Sequence, residues 1–457
     1  MRVAALLLLS ACVASGANAQ TAPSRPEPHI GYLYPAGGQQ GTTFYLLAGG
    51  QRLGKVSKAY VSGDGVHATV IRTLPPVRTL SREQFQAARE RLVELRKDPQ
   101  SAPRPTQRDP ASPEKNPAAQ GTPKTGAPAS RPTTRPGDPP ELDVSTLSLR
   151  ELEYLAEFAR SGDKKQPNAQ LADVVLLEIV VDSKAAVGDR ELRLGSPAGL
   201  TNPLRFQVGR LTEVCEQEPI GPKAPEAPEL KVPFLINGQI MPGDVDRFRF
   251  QAQKGQRLVM EVQARSLIPY LADAVPGWFQ PTLALYDAAG HELAFADDYR
   301  FNPDPVVLYE VPDEGEYQLE IRDALYRGRE DFVYRISVGE LPFVTEVFPL
   351  GGRAGSLRGT AISGWNLPSA RLRLGTKPGP DRIRQTTVQR GPWRSNEVLY
   401  AIDSWPESLE TEPNNDTQRA QTIKLPRIIN GPHSDTAAPP PRSRPLLPSH
   451  SHRQRAF

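Results

Sequence analysis

Cysteine, methionine and tryptophan are scarce in this chain of 457 residues, with 2, 3 and 4 copies. Two cysteines, Cys12 and Cys215, cannot supply a disulfide framework, so stability must come from apolar cores of some size. Neither sign of charge dominates: 55 Lys and Arg against 52 Asp and Glu leave +3, no reason to expect a nucleic-acid-binding stripe. No Gly-x-Ser-x-Gly elbow, Cys-x-x-Cys pair or Gly-rich phosphate loop occurs. Of the 6 histidines, His29, His67 and His291 lie apart and His433, His450 and His452 fall in the C-terminal stretch; His291-Glu292 lacks the second His of a zinc helix. Proline, by contrast, is abundant: 48 residues, about twice the ~5% of an average protein. That excess argues against a mostly helical enzyme and for strands, turns and linkers.

The N-terminus reads as an address. Met1-Arg2 is a short positive region, residues 3–9 are apolar, and Ala17-Asn18-Ala19 fits the small-x-small cleavage rule. A signal peptide over 1–19 is expected, and its apolar run is too short to span a bilayer. Leu9-Ser10-Ala11-Cys12 also matches a lipobox, which would make Cys12 a lipidated first residue. The chain is therefore expected to be exported: periplasmic, cell-surface or secreted. No transmembrane helix is expected.

Short strands with Gly-rich punctuation follow over 29–76, with Gly37-Gly38 and Gly49-Gly50 read as turns. Ser81 with Gln84, then Phe85, Ala88, Leu92 and Leu95, predicts a helix over 81–97. Residues 98–140 hold almost no large apolar side chain and are expected to be disordered. A second capping box, Ser148 with Glu151, opens another helix before strands resume over 172–210. Residues 28–76 and 172–210 together have strands enough for one Ig-like sandwich, interrupted by a helix–disorder–helix insertion over 77–171. Over 213–340, short strands alternate apolar and polar residues, with Val259 breaking the pattern, as in a jelly-roll sandwich. The fold class is thus all-β, built from tandem sandwiches.

The chain also repeats itself. Ile30-Gly31-Tyr32-Leu33-Tyr34-Pro35-Ala36-Gly37-Gly38 returns as Val344-Thr345-Glu346-Val347-Phe348-Pro349-Leu350-Gly351-Gly352. Glu216-Gln217-Glu218-Pro219 and Leu235-Ile236-Asn237-Gly238 return as Glu410-Thr411-Glu412-Pro413 and Ile428-Ile429-Asn430-Gly431. The plan is A–B–A′–B′. A second Ig-like module is expected over 342–409 and the start of a second jelly-roll unit over 410–431. From 432 to 457 the composition turns basic and Pro-rich, as in a disordered or frame-shifted tail.

The B segment resembles the bacterial pre-peptidase C-terminal domain. The resemblance rests on Asn237-Gly238-Gln239-Ile240, Pro242-Gly243-Asp244-Val245-Asp246, Tyr286-Asp287-Ala288-Ala289-Gly290 and Asp297-Asp298. Glu412-Pro413-Asn414-Asn415-Asp416 resembles that family's entry motif. The A segments resemble IPT/TIG immunoglobulin-like domains through their Pro-x-Gly-Gly turn. The alternation resembles large exported planctomycete-type proteins. These resemblances imply an architecture and a location rather than a reaction.

Two sites are candidates. Asp244, Asp246, Asp297, Asp298 and Asp323 fall at strand ends or turns, either as turn residues or as ligands of a possible Ca²⁺, which some collagen-binding relatives of the resembled family use. Trp278, Phe279 and Tyr299, with Tyr270 and Phe301, form either a platform for extracellular polysaccharide or protein, or the plug of a sandwich end. No catalytic set and no other cofactor is expected. The function expected is an exported non-catalytic binding, adhesion or spacer protein of the cell envelope. The alternative is the accessory N-terminal part of a secreted peptidase or other hydrolase.

Overall fold

Two stretches of chain, parted by residues 75–172, supply one sandwich. β1 (His29–Tyr34), β2 (Gly37–Gln39), β3 (Thr43–Gln51), β4 (Lys58–Val61) and β5 (Val66–Leu74) come from the first stretch. β6 (Asp173–Val181), β7 (Gly188–Ser196), β8 (Gly199–Leu200) and β9 (Leu204–Gly209) come from the second. One sheet runs β1–β3–β6–β5, and the other β2–β9–β7–β4 with β8 on β7. The computed structural model describes residues 27–74, 81–98, 143–161, 168–217, 230–268, 278–356 and 359–431. The expectations for the signal peptide and Cys12, for 99–140, for Tyr270 and for 432–457 lie outside the described residues.

β6 reads Asp-Val-Val-Leu-Leu-Glu-Ile-Val-Val, apolar at consecutive positions, because both of its faces are covered. Val175, Leu177 and Ile179 enter the core with Leu46, Leu192 and Phe206. Val174 and Leu176 face outward against Leu47, Ile71, Leu74 and Tyr154. Tyr154 belongs to a helix pair, α1 (Arg82–Lys97) and α2 (Leu149–Ser161), docked on that sheet. Both helices start where the capping boxes place them. Ser81 Oγ accepts from Gln84 N at 3.2 Å, and Ser148 N donates to Glu151 Oε2 at 2.7 Å. Ala88, Leu92 and Leu95 close against Leu147, Leu152 and Leu155. Buried Glu151 accepts two 2.6 Å hydrogen bonds from Arg72 of β5, which fasten the pair to the sandwich.

The glycine pairs are not turns. Gly37 and Gly38 lie in β2, parallel to β9 with Gly37 opposite Gln207. A Cβ on Gly37 would run into the Gln207 carbonyl and the Arg335 guanidinium. Gly49 and Gly50 lie in β3 beside a bulge in β1, where a Cβ would meet the Tyr32 ring or the His29 carbonyl. Close backbone approach, not turn geometry, demands glycine there.

The second sandwich starts with β10 (Thr212–Cys215), β11 (Leu230–Lys231), β12 (Phe234–Gln239), β13 (Asp246–Ala252) and β14 (Arg257–Gln263). It continues with β15 (Pro281–Asp287), β16 (Glu292–Ala296), β17 (Val306–Glu310), β18 (Gly315–Asp323) and β19 (Val333–Gly339). Its sheets run β10–β12–β19–β14–β17 and β11–β13–β18–β15–β16. Leu258, Met260 and Val262 of β14 point into the core with Phe250, Leu283 and Ile336. Val259, the break in alternation, points out and packs with Leu211, Leu341 and Phe343.

That outer cluster seats the third module: β20 (Phe343–Phe348), β21 (Gly351–Arg353), β22 (Gly359–Trp365), β23 (Arg371–Arg373) and β24 (Ile383–Thr386). β25 (Gln389–Arg390), β26 (Trp393–Arg394) and β27 (Val398–Asp403) complete it. Its sheets run β20–β22–β23 and β21–β27–β24. The repeat is visible in side chains. Asn202 accepts from Ile30 N at 2.8 Å and donates to Ile30 O at 3.0 Å. Asn396 does the same to Val344, at 2.7 and 3.0 Å. A last parallel pair, β28 (Glu407–Leu409) with β29 (Ile428–Asn430), corresponds to β10 with β12.

Candidate functional site

The five candidate carboxylates are not gathered. Asp323, fully buried at the end of β18, accepts from the backbone of Gln280 (3.1 Å), Leu325 (3.0 Å) and Arg327 (3.1 Å). The Arg327 guanidinium adds two contacts of 2.9 Å. Burial pushes this carboxyl up, but Arg327 and the backbone donors outweigh it and hold it below the ordinary carboxylate range. Asp246 accepts from the Tyr334 hydroxyl at 2.7 Å. Asp244 is partly exposed in a turn, and Asp297 and Asp298 are exposed beyond β16. Among the described residues, no three His, Cys, Asp or Glu side chains converge as a metal site would require.

The aromatics are divided too. Phe279 is buried, stacked on Phe332 at 5.2 Å and 14°, and plugs the core. Tyr299 meets Phe343 edge-on at 5.2 Å and 81°, between the second and third modules. Trp278 and Phe301 remain exposed. A single platform of Trp278, Phe279 and Tyr299 is therefore not formed, because two of its rings are spent on packing.

What sequence reasoning missed is the junction between the first two sandwiches. Arg335 of β19 donates to Glu213 of β10 at 2.8 and 3.1 Å and to Asn237 Oδ1 at 2.7 Å, against Gly37. Glu216 Oε1 accepts from Tyr34 of β1 (3.1 Å) and from Gln239 N (2.7 Å). Its other oxygen lies 3.0 Å from the Tyr334 hydroxyl. Burial, then the Asp246 and Glu216 carboxylates, push the Tyr334 phenol far up, so it stays a donor. Cys215 lies alongside: burial pushes its thiol up, while Arg150 of α2 pulls the other way. The only advance signal was the recurrence of the Glu216 motif, which carried no role by itself.

A wide cleft of about 1100 Å³ opens where the three modules meet. Arg205 and Gln207 line it from the first, Glu261, Tyr299, Arg300 and Asp304 from the second, Glu346, Arg394 and Asn396 from the third. Glu261 of β14 is pushed up to about 7, first by burial and then by the Asp304 carboxylate. Asp304 is held by the N–H groups of Arg265 (2.7 Å) and Ser266 (2.9 Å). The Tyr299 hydroxyl and Ser266 Oγ are buried without a hydrogen-bond partner among the described residues. The cleft thus sets guanidinium donors and the raised Glu261 carboxyl among apolar side chains such as Phe343, Val347, Leu350 and Leu399. Such a lining suits an amphipathic chain that presents both polar and apolar groups.

No protein-family model matches the chain, and no curated protein does. Among solved structures it is similar to the pre-peptidase C-terminal domain of a collagenase from Bacillus anthracis, at 15% identity. That match covers 25% of this chain and 97% of the other, with a TM-score of 0.19. It is also similar to a secreted serine protease from Vibrio cholerae, at 9% identity and a TM-score of 0.16. There it covers 66% of this chain and 47% of the protease, so it spans about half of that protein's length.

Proposed function

We propose that this chain is an exported, non-catalytic binding protein of the cell envelope, whose sandwiches form a stiff frame around a cleft lined by both charged and apolar side chains. The observation that carries this reading is the locking of the three modules to one another. Beyond the Arg335 and Glu216 contacts, Asn366 donates to the Arg257 and Leu341 carbonyls (2.8 and 3.0 Å). Arg394 donates to Val187 O and Arg210 to Pro392 O, each at 3.0 Å, tying the third module to the first. Buried ionisable groups such as Arg335, Glu151 and Asp323 serve the frame, whereas the cleft's Arg300, which donates to the Thr345 carbonyl and lies 3.9 Å from Glu346, is half exposed with its partner and faces an extracellular polysaccharide or protein.

The test uses the purified full chain on casein, gelatin, collagen and insoluble polysaccharides. No hydrolysis is expected, together with saturable retention on one matrix that Arg300→Glu weakens. Proteolysis blocked by an active-site inhibitor would instead establish a hydrolase.

A further inference from the structure

Two parallel strand pairs in this chain are built alike, but among the described residues one is flanked by a further strand and the other is not. In the second sandwich, β10 and β12 are joined by Asn237 Nδ2 donating to Glu213 Oε2 at 2.9 Å and by Glu216 N donating to Asn237 O at 2.9 Å. In the later pair, Asn430 Nδ2 donates to Glu407 Oε2 at 3.1 Å and Glu410 N to Asn430 O at 2.9 Å. The carboxylate, the carboxamide and the backbone bond occupy equivalent places. Gly351 stands where Gly37 does, parallel to β27 as Gly37 is to β9.

The difference lies at the other edge. β12 passes that edge to β19, antiparallel, with Asn237 opposite Arg335. The guanidinium of Arg335 fills the notch formed by Glu213, Asn237 and Gly37. β29 pairs with β28 alone among the described residues, and none of these residues continues the sheet at the equivalent edge or places a guanidinium in the equivalent notch. The apolar rim agrees. Leu350 is 66% exposed where its counterpart Ala36 is 4%, and Leu399 and Leu409 are 62% and 49% exposed.

We infer that the β29 edge is the docking site for an extended, arginine-bearing strand of a partner protein. The strand lies antiparallel to Ile428–Asn430, and its arginine enters the Glu407–Asn430 notch. Charge complementarity and the internal template of Val333–Gly339 select this occupant. A second copy cannot offer its own Val333–Gly339, which is held between β12 and β14. The inference rests on the repeat and not on the cleft or on the binding function above.

The probe is a fluorescent peptide with the sequence of residues 331–340, Asp-Phe-Val-Tyr-Arg-Ile-Ser-Val-Gly-Glu, titrated with the full chain and read by anisotropy. Saturable binding is expected, weakened at least about tenfold when the peptide Arg is changed to Glu. Glu407→Arg in the protein should weaken the original peptide equally and restore the Glu-bearing one. Glu407→Gln is the milder variant, and unchanged melting temperatures certify that both variants fold. Absence of saturable binding overturns the proposal, as does binding indifferent to both charge changes. Binding that emerges only when the chain ends at Gly431 also overturns it, in favour of the chain's own residues 432–457.

Discussion

Arg335 and Glu213 stand 122 residues apart in sequence and meet through paired hydrogen bonds of 2.8 and 3.1 Å. Arg335 is 2% exposed, so the pair is desolvated, and its worth lies less in net stability than in fixing how β10 and β19 flank β12 where that sheet faces Gly37 of the first sandwich. Glu213→Ala should cost about 3–5 kcal/mol, because it strands a buried guanidinium. Replacing both residues by apolar ones should cost much less. Denaturant melts of the single and double variants make the comparison.

Gly238→Ala should destabilise by about 1–3 kcal/mol, since the new methyl meets the Tyr334 hydroxyl and a Glu216 oxygen in a packed junction. Gly431→Ala places its methyl against the Glu410 carboxylate, the far end of a half-buried, flexible side chain able to swing away, and should change little. Thermal melts of the two variants measure the contrast.

Glu261 predicts a pH dependence. Its carboxyl titrates near 7 in the folded protein and near the ordinary 4.5 when unfolded, so the folded state holds the proton longer. Stability from this group is therefore greatest below about 4.5, falls as pH rises toward 7, and levels off above it. Glu261→Gln should remove that slope and raise stability by about 1–3 kcal/mol at pH 8. Loss of the slope with no gain at pH 8 would mean the strain lies elsewhere.

Cys215 should be a slow thiol. With its pKa raised by burial, labelling by a maleimide at pH 7 should lag behind a free cysteine peptide and accelerate markedly in denaturant. Arg150→Ala, which removes the cation opposing that rise, should slow labelling further if the fold holds by circular dichroism.

Calcium should not stabilise the second sandwich. Asp323 already accepts five hydrogen bonds from N–H donors that would repel a cation. Millimolar Ca²⁺ should leave the melting temperature unchanged, while Asp323→Asn should lower stability by about 1.5–3 kcal/mol at pH 7. Because the folded carboxyl is held low, its contribution is present above the ordinary carboxylate range. It is lost as pH falls through the depressed value, so the variant and the parent should converge in acid.

Strand positions were legible wherever one face meets a core, because period-two alternation is a direct image of that geometry, as in β13. Both helices were legible from Ser81 and Ser148, whose capping is local. The glycine pairs misled, since a turn and a backbone crowded by a distant ring or carbonyl both exclude a Cβ. β10 escaped notice because its four residues pair with β12 beyond residues 218–229. The Arg335 notch was illegible for the same reason: only the folded chain brings residues 37, 213, 237 and 335 together. The aromatic and acidic candidates were chosen by residue type, and type does not say whether Phe279 or Asp323 faces inward.

The central place of β6 sets a timetable for folding. β3 and β5 form a common sheet only through β6, and the facing sheet depends on β7 and β9. β1 and β3 can pair at once, but β2, β4 and β5 must wait without a partner, and β3 with one edge open, until about a hundred or more further residues have arrived. Such long-range closure is slow and leaves sticky edges in the interval. For this chain the vulnerable interval lasts until β9 closes the second sheet at Gly209, and a holding chaperone acting on residues 29–74 should raise the yield.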